Sequence, residues 1–356
     1  MPAVPHVLIT GGSGFVGANL CVGLAARHPD WSITALDNLK RRGAELNLPR
    51  LRDAGVRFVH GDVREHADLL ALARVDAIVE CSAEPSALAG TDGSPDYLVR
   101  SNLFGAYHCL ELARRDDAQV VFISTSRVYP YGALDALAYR ETPTRFELCP
   151  EPGAGASEAG IAENFPLDGP RTLYGATKLA AEHLVTEYAA VAGLPTVIDR
   201  CGVIAGPWQM GKVDQGVFTY WMLAHQIGRP LRYIGYGGSG KQVRDLLHVD
   251  DLVELIDRQL ADPEGWRGAT VNVGGGRDVS LSLTETTALC RELTGRTIPV
   301  TGSQEDRPGD VRIYLSDTAR LFSRTDWRPR HSAEDVLSDT AAWLRAHESL
   351  VVSALA

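Results

Sequence analysis

The 356-residue sequence lacks the patterns that mark three broad classes of protein. It has no run of 18 apolar residues, and Met1–Pro5 lacks the charged and apolar regions of a signal peptide, so we expect neither a transmembrane helix nor secretion. The net charge is −10, and the only basic cluster, Lys40–Arg42, is short. This balance argues against nucleic acid or an anionic membrane as the main partner.

Cysteine and histidine are present without a pattern. The six cysteines are widely spaced and form no C-x-x-C pair, which predicts reduced, mostly buried thiols in a cytoplasmic protein. The ten histidines show no ligand spacing, so we predict no metal site. The length of 356 residues predicts one large domain or two interlocked ones, and the hydrophobic content of 45% predicts a globular protein with a buried core.

The amino-terminal segment reads as a strand, a glycine-rich turn and a helix. His6–Thr10 is a short apolar run, and a helical pattern continues to Leu24. Between them, Gly11 permits a tight turn, Gly14 lets the backbone approach a pyrophosphate, and Gly17 lets the helix pack on the strand. The helix N-terminus then offers N–H groups to phosphates. The spacing therefore predicts a dinucleotide site.

The second strand, Ile33–Asp37, ends in an acid twenty residues after Gly17. A carboxylate at this position can hydrogen-bond an adenosine ribose diol, and it would repel a 2′-phosphate. Lys40, Arg41 and Arg42 could instead attract such a phosphate, or simply form a solvated loop. Because the acid lies at the strand tip and the bases lie beyond it, the pattern favours NAD over NADP.

Further apolar runs alternate with helical patterns. The strands are expected at Val56–His60, Asp76–Glu80, Gln119–Ser124, Pro195–Arg200 and 270–273. This alternation predicts an α/β fold, a Rossmann-type doubly wound parallel sheet, with ligands bound beyond the carboxyl ends of the strands. Asp62 could reach an adenine amino group, Ser82 and Ala83 leave room for a dinucleotide, and the hydroxyls of Ser124, Thr125 and Ser126 could meet a substrate. Each could equally be an ordinary loop residue.

The rest of the chain predicts a smaller interleaved C-terminal domain. Residues 127–172 form a long connection with little periodicity, and loops of that length are usually functional. Residues 201–245 are rich in glycine and aromatics, and helices are expected at 249–261, 282–294 and 332–347. We therefore predict an NAD-binding domain at 1–200 with 246–275, and a nucleotide-sugar-binding domain at 201–245 with 276–356.

A helix predicted at 173–192 carries Tyr174 and Lys178 four residues apart, hence on one face. A free phenol titrates near ~10, so a tyrosine that acts as base at neutral pH needs its pKa lowered by roughly three units. An ammonium one turn away supplies part of that shift. A surface helix offers the same spacing without any chemistry.

Three motifs together resemble the extended short-chain dehydrogenase/reductase family, the nucleotide-sugar epimerases and dehydratases. They are Thr10–Gly17, Ser124–Tyr129 and Tyr174–Lys178, and the resemblance continues through Arg307–Asp310 and Asp326–Pro329. Asp37–Gly43, Asp214–Gly216 and Gly240–His248 are most similar to the subgroup that inverts C2 of a CDP-linked deoxyhexose.

The resemblance implies roles for particular residues. Thr125 would be the catalytic hydroxyl, Tyr174 the base, and Lys178 the residue that holds the nicotinamide ribose and lowers the tyrosine pKa. The implied NAD contacts, with those inferred above, are Gly11, Gly14, Phe15, Val16, Gly17, Asp37, Asn38, Arg41, Asp62, Val63, Ser82, Ala83, Asn102, Ser124, Tyr174 and Lys178. The implied substrate contacts are Thr125, Ser126, Gln209, Arg244 and Arg307, of which the two arginines would grip the diphosphate. For either arginine, a surface ion pair is the alternative.

Two segments depart from the family pattern. The usual His-Leu-Ala-Ala/Gly segment after the fourth strand is here Glu80–Ala83, which leaves the contacts beneath the nicotinamide, and any role of Glu84, undetermined. The dehydratase branch places Asp-Glu directly after its catalytic threonine, whereas this chain has Ser126-Arg127. We therefore expect no dehydration.

The resemblance implies an NAD-dependent nucleotide-sugar epimerase that oxidises its sugar transiently and reduces it again. C2 of a CDP-linked deoxyhexose (CDP-paratose/CDP-tyvelose) is the first choice, and the C4 position of a UDP-hexose is the alternative. A sugar-nucleotide dehydrogenase or reductase, or a catalytically silent dinucleotide sensor, are further alternatives. The family generally pairs two subunits, so a homodimer formed through the helices at 95–115 and 173–192 is expected, with a tetramer as the alternative.

Overall fold

The computed structural model of the chain describes residues 5–86, 88–91, 93–211, 215–305 and 307–355. Asp214, which belongs to one of the subgroup motifs, and Asp306 lie outside these ranges. Within them, no helix combines the length and apolar character needed to cross a membrane.

The strands follow the apolar runs of the sequence. They are β1 His6–Thr10, β2 Ser32–Asp37, β3 Arg57–His60, β4 Ala77–Glu80, β5 Gln119–Thr125, β6 Tyr139–Glu141, β7 Phe146–Leu148, β8 Ala156–Ser157, β9 Gly160–Ile161, β10 Thr196–Cys201, β11 Val203–Ala205, β12 Leu231–Tyr233, β13 Val243–His248, β14 Ala269–Val273, β15 Ser280–Ser282, β16 Val300–Gly302 and β17 Ile313–Tyr314.

The α-helices lie between them. They are α1 Phe15–Arg27, α2 Leu48–Asp53, α3 His66–Leu70, α4 Asp96–Val99, α5 Gly105–Asp116, α6 Tyr131–Asp135, α7 Leu173–Ala192, α8 Val217–Ile227, α9 Val249–Ala261, α10 Pro263–Trp266, α11 Leu283–Thr294, α12 Ala319–Arg324 and α13 Ala333–Leu355. Short 3₁₀ turns cover Ala44–Asn47, Ser126–Val128 and Tyr236–Gly238, and one π turn covers Arg100–Phe104.

The central sheet has seven strands in the order β14-β10-β5-β4-β1-β2-β3. The pairings β1·β2, β1·β4, β2·β3 and β4·β5 are parallel. The order of the sheet turns back between β1 and β4, which is where doubly wound folds bind ligands. The predicted fold class is confirmed.

The chain divides into two compact units. Unit 1 comprises residues 1–124, 176–199 and 252–270, and unit 2 comprises 125–175, 200–251 and 271–356. The sequence-based boundaries placed 125–175 in the first domain, whereas compactness groups this segment with unit 2. The assignment of NAD and nucleotide-sugar binding to separate domains stays a prediction.

The core of unit 1 lies between one face of the sheet and helices α5 and α7. Leu8, Ile78 and Phe122 from neighbouring strands pack with Leu110 and Val185 from the two helices, and all five are almost fully buried. These continuous apolar strands are typical of parallel sheets covered on both faces. The core fixes α7, and with it Lys178, against the centre of the sheet.

Unit 2 has a smaller sheet, β11-β13-β15, with β17 paired to β13. Helix α8 packs against α11 and α13. Helix α11 begins with a capping box in which Ser282 Oγ accepts from the Glu285 N–H and Glu285 accepts from the Ser282 N–H. Helix α13 has a non-helical residue at His347, the position where the predicted helix 332–347 ends.

The long connection at 127–172 is more structured than predicted. It contains helix α6 and the two short hairpins β6-β7 and β8-β9. Because these strands have only two or three residues each, they leave no detectable periodicity in the sequence. The prediction of an irregular loop was therefore wrong for this segment.

Candidate active site

The glycine-rich turn of unit 1 is tightly packed. Gly11 has φ +61°, which favours glycine, and its carbonyl accepts from the Gly14 N–H at 2.9 Å. A Cβ on Gly17 would lie 2.8 Å from the Gly11 carbonyl carbon, and one on Gly12 would lie 2.7 Å from the Ala35 Cα. Helix α1 begins directly after this turn at Phe15, followed by Val16. Only glycine therefore allows the helix N-terminus to sit this close to the strands.

The acid at the tip of β2 anchors the same turn. Asp37 accepts from the Ser13 N–H at 3.1 Å and from the Leu39 N–H at 2.8 Å. Burial raises the pKa of Asp37, although these two backbone N–H groups oppose the shift. The carboxylate keeps further lone pairs, so the predicted ribose contact is compatible with this geometry.

Asp62 is held by its neighbours rather than left open. Its carboxylate forms a two-pronged pair with Arg64, with Nη2–Oδ2 at 2.6 Å, and accepts from Asn38 Nδ2 at 2.9 Å. Burial alone would raise the pKa of Asp62, but Arg64 and Asn38 more than offset it and lower the pKa to about 2. Val63 is buried, and its carbonyl lies 2.8 Å from His108 Nδ1. The predicted adenine contact of Asp62 stays a prediction.

The basic cluster beyond Asp37 is partly engaged. Lys40 is exposed and places Nζ 4.0 Å from the centre of the Tyr97 ring, over which Arg64 also lies. Arg41 is half-buried and Arg42 exposed, and both have partners. The predicted cofactor contact of Arg41 stays a prediction.

The loop after β4 is fixed by a buried amide. Asn102 accepts from the Glu84 N–H at 2.8 Å and donates to the Glu84 carbonyl and to Thr177 Oγ1, both at 3.2 Å. Asn102 thus joins the segment containing Ser82 and Ala83 to helix α7. A Cβ on Gly11 would lie 3.0 Å from the Cys81 carbonyl oxygen, so this loop also borders the glycine-rich turn.

The predicted catalytic lysine is fully buried in unit 1. Lys178 Nζ lies 3.3 Å from Glu80 Oε2 and 3.9 Å from the centre of the Phe122 ring. Burial raises the pKa of Glu80 above its ordinary value, whereas Lys178 lowers it. Four residues further along α7, Glu182 accepts from Ser124 Oγ at 2.5 Å. Sequence reasoning noted Glu80 only as a departure from the family pattern.

In unit 2, Thr125 and Tyr174 belong to segments in direct contact. Thr125 is buried at the end of β5, and its Oγ1 accepts from the Arg127 N–H at 3.2 Å. Tyr174 lies in the first turn of α7, directly before Gly175. A Cβ on Gly175 would lie 2.9 Å from the Arg127 carbonyl carbon. The turn after Thr125 and the start of the Tyr174 helix therefore touch backbone to backbone.

A cleft opens in unit 2 beside this contact. Its lining includes Ser126, Tyr131 and three arginines, Arg127, Arg171 and Arg244. Burial, together with the nearby Arg244, lowers the pKa of Arg127, while Asp310 and Tyr174 oppose the shift. Arg127 also donates to the Gly309 carbonyl at 2.7 Å. The cleft thus concentrates positive charge in a chain whose net charge is −10.

The remaining predicted substrate residues differ in their surroundings. Arg244 donates to Asp310 Oδ1 and to the Val311 carbonyl, each at 2.7 Å, and Arg307 contributes to the field at Arg127. Gln209 donates to the Ile204 carbonyl and accepts from Thr219 Oγ1 at 2.6 Å. Because both the N–H and the oxygen of its amide are hydrogen-bonded within the protein, Gln209 is better placed to stabilise its loop than to hydrogen-bond a sugar.

One group in unit 2 has the spacing of metal ligands. His248, His331 and Asp339 each bring a candidate ligand atom within 4.8 Å of the others. However, His248 Nδ1 accepts from the Asp250 N–H at 3.1 Å, which puts the proton of a neutral ring on Nε2. Nε2 lies 3.5 Å from Asp339 Oδ2 and makes no hydrogen bond to the described residues.

Comparisons with known proteins define the family. The model of the NAD dependent epimerase/dehydratase family matches residues 7–274, so the chain belongs to that family of NAD-dependent enzymes. CDP-paratose 2-epimerase of Salmonella typhi is 31% identical over 95% of this chain and 98% of its own. dTDP-glucose 4,6-dehydratase of Mycolicibacterium smegmatis is 33% identical over 97% of this chain and 94% of its own.

A solved structure of a related enzyme has the same fold. DesIV, a dTDP-glucose 4,6-dehydratase from Streptomyces venezuelae with NAD and TYD bound, superposes with a TM-score of 0.76. It is 26% identical, and the match covers 97% of this chain and 98% of that one. Both epimerases and dehydratases are thus similar to this chain along nearly its whole length.

The residues of unit 1 fit the dinucleotide that the family uses. The backbone turn at Gly11–Gly17 leaves no room for a side chain at Gly12 or Gly17, and it ends at the N-terminus of α1. This combination suits a pyrophosphate, and Asp37 at the next strand tip suits a ribose diol.

The sequence did not reveal Arg171, Tyr131 or the pairing of Glu80 with Lys178. Only the position of Arg171, three residues before the Tyr174–Lys178 motif, could have pointed to it.

Proposed function

We propose that this protein is a nucleotide-sugar epimerase that inverts C2 of a CDP-linked deoxyhexose, CDP-paratose or CDP-tyvelose. The observation that carries the choice of an epimerase is the guanidinium of Arg127 on the turn after Thr125. A dehydratase of this family has an acid/base pair on that turn, as the resemblance implies. A guanidinium cannot exchange protons at neutral pH, so it cannot replace a carboxyl group there.

The chain's own residues supply proton transfer and orientation. Tyr174, as a phenolate, takes the proton of the sugar hydroxyl, and Thr125 hydrogen-bonds the same oxygen. Lys178, one turn along α7, favours the phenolate and holds the nicotinamide ribose. NAD, which the glycine-rich turn and Asp37 would hold, would supply the hydride acceptor needed to oxidise the carbinol carbon and to reduce it again from the opposite face. The same phenol then returns its proton to the oxygen.

The arginine cleft supports a diphosphate-linked substrate. Arg244 and Arg307 are proposed to bind the diphosphate, with Asp310 fixing the Arg244 fork. Arg127 lies in the electrostatic field of both. Paired guanidinium forks match phosphate oxygens in geometry as well as charge. An anchored diphosphate would let the keto-sugar turn without leaving the site.

Two observations favour C2 of a CDP-sugar over C4 of a UDP-hexose. The similarity to CDP-paratose 2-epimerase covers 98% of that enzyme. The motifs at Asp37–Gly43 and Gly240–His248 resemble the same subgroup. The UDP-hexose 4-epimerase and the dehydrogenase or reductase remain the alternatives to be tested.

Proton NMR of the products separates these possibilities. Incubation with CDP-paratose should invert C2, whereas UDP-glucose should stay unchanged and dTDP-glucose should give no 4-keto-6-deoxy product. Inversion of UDP-glucose at C4 alone would contradict the assignment, and so would net NADH accumulation. Tyr174→Phe should reduce turnover by at least 10²-fold, as removal of a general base does, without loss of NAD binding or folding. An equal loss of folding would show a structural tyrosine.

The assembly is proposed from the same resemblance, and the location from the cysteine pattern. We propose a homodimer formed through the helical regions 95–115 and 173–192. Phe104 and Val191 within them are 50% and 85% exposed, which suits residues that a second subunit covers. A cytoplasmic location also stays a prediction.

A further inference from the structure

The pairing of Glu80 with Lys178 is a feature of unit 1 that the proposed mechanism does not use. Glu80 ends strand β4, in the middle of the central sheet, and is 1% exposed. In the ladders it lies beside Thr10 on β1 and Phe122 on β5. Directly paired residues point to the same face of a sheet, so the three side chains form one row.

The side chain of Lys178, on helix α7, contacts this row. Its ammonium meets Glu80 at 3.3 Å and the Phe122 ring at 3.9 Å, with 2% of the lysine side chain exposed. Of the three N–H donors of the ammonium, the carboxylate takes one and the ring face constrains another. The orientation of the remaining donor is thereby fixed.

Burial of a carboxylate in this position has a high desolvation free energy, so its presence needs a physical explanation. Burying an ion pair generally stabilises a fold less than apolar packing of the same volume. Within the described ranges, Glu80 Oε1 has no hydrogen-bond partner, so the pair is not a fully satisfied structural network. The carboxylate therefore contributes more to the orientation of the ammonium than to the stability of the core.

We propose that Glu80 is a positioning residue, which fixes the Lys178 ammonium and sets the pH range in which Tyr174 can act as base. The inference rests on the proposed function, because it assigns Tyr174 the role of base. Glu80 acts as the counter-charge: it fixes the ammonium at 3.3 Å and offsets part of the ammonium's field one turn away on α7.

The other titratable groups around the pair have separate partners or states. Cys109 of α5 is buried, which raises its pKa well above the ordinary value and keeps the thiol protonated. Glu182, on the next turn of α7, accepts from Ser124. Tyr174 lies on the preceding turn. Glu80 is therefore the acid directly paired with Lys178.

The first test is the pH dependence of kcat for the wild type, Glu80→Gln and Glu80→Asp. Glutamine keeps the shape without the charge, so the field of the ammonium is no longer offset and favours the phenolate of Tyr174 more strongly. The acid limb of the profile of kcat against pH should therefore move to lower pH by about one unit. Glu80→Asp keeps the charge and should leave the acid limb in place. An unmoved acid limb in Glu80→Gln, with only a lower rate, would overturn the proposal.

Asp199→Asn is the matched control. Asp199 is another fully buried acid of unit 1, but it accepts from Gln259 Nε2 at 2.9 Å instead of from a lysine. Removal of its charge should leave the acid limb where the wild type has it. A shift equal to that of Glu80→Gln would show a general effect of buried charge and would overturn the proposal.

The second test needs no substrate, so it remains valid if the proposed function fails. Thermal unfolding is measured for Glu80→Gln, Lys178→Met and the double variant. Each single variant leaves one buried charge without its partner and should lower Tm, whereas the double variant should recover much of the loss in Tm. Additive losses in the double variant would show that the two side chains are not coupled, and would overturn the proposal.

Discussion

Gly175→Ala should impair catalysis while leaving the fold intact, because it would separate two segments that meet backbone to backbone. The added Cβ would lie 2.9 Å from the Arg127 carbonyl carbon, whereas carbon atoms pack at about 3.5–4.0 Å. The start of α7, which carries Tyr174, must therefore move by roughly 1 Å relative to the turn after Thr125. A 1 Å error in the placement of a reacting group can lower the rate by about 10²-fold.

The assay is the initial rate of epimerisation at saturating sugar nucleotide, with Tm measured alongside. Gly132→Ala is the matched control, because Gly132 lies in helix α6 of the same unit and a Cβ there would meet nothing within 4 Å. The control should keep wild-type kcat. A Gly175→Ala variant with wild-type kcat would refute the reasoning, and so would a rate loss explained entirely by unfolding.

Two further predictions concern cofactor binding and pH-dependent stability. Gly17→Ala should weaken NAD binding at least tenfold in calorimetric titration, because its Cβ would meet the Gly11 carbonyl carbon at 2.8 Å; unchanged affinity would argue against the phosphate-binding turn. Burial raises the pKa of Asp199 from 3.8 to about 7. Between about pH 4 and about pH 7 the unfolded chain therefore releases this proton while the folded protein keeps it, so the wild type loses stability progressively as pH rises. Asp199→Asn should therefore gain stability relative to wild type over that range, by up to about 4 kcal/mol above pH 7 in urea unfolding. A stability difference that is the same at pH 4 and pH 8 would contradict this sign.

The sequence predicted the central sheet well because its signals are local. Each of the apolar runs His6–Thr10 and Gln119–Ser124 became a buried strand, and the glycine spacing became the turn between β1 and α1. The predicted helix limit at 347 was too early, because α13 continues to Leu355 with one non-helical residue at His347. Hairpins β6-β7 and β8-β9 were missed, because strands of two or three residues are too short to show alternation.

The partners within the candidate site could not be predicted, because they depend on contacts between distant parts of the chain. Glu80 and Lys178 are 98 residues apart, and Arg127 and Gly309 are 182 apart. The sequence motifs could identify Tyr174 and Lys178 as candidate site residues, but not their partners. Only the sheet register could show that a strand-end acid lies under the lysine.

The central claim, that the inverted carbon is oxidised and reduced again within the site, is tested most directly with CDP-paratose deuterated at C2. In ordinary water, with a catalytic amount of NAD-loaded protein, the account predicts a C2-inverted product that retains the deuterium at C2. Deuterium replaced by solvent protium at that carbon would contradict the account.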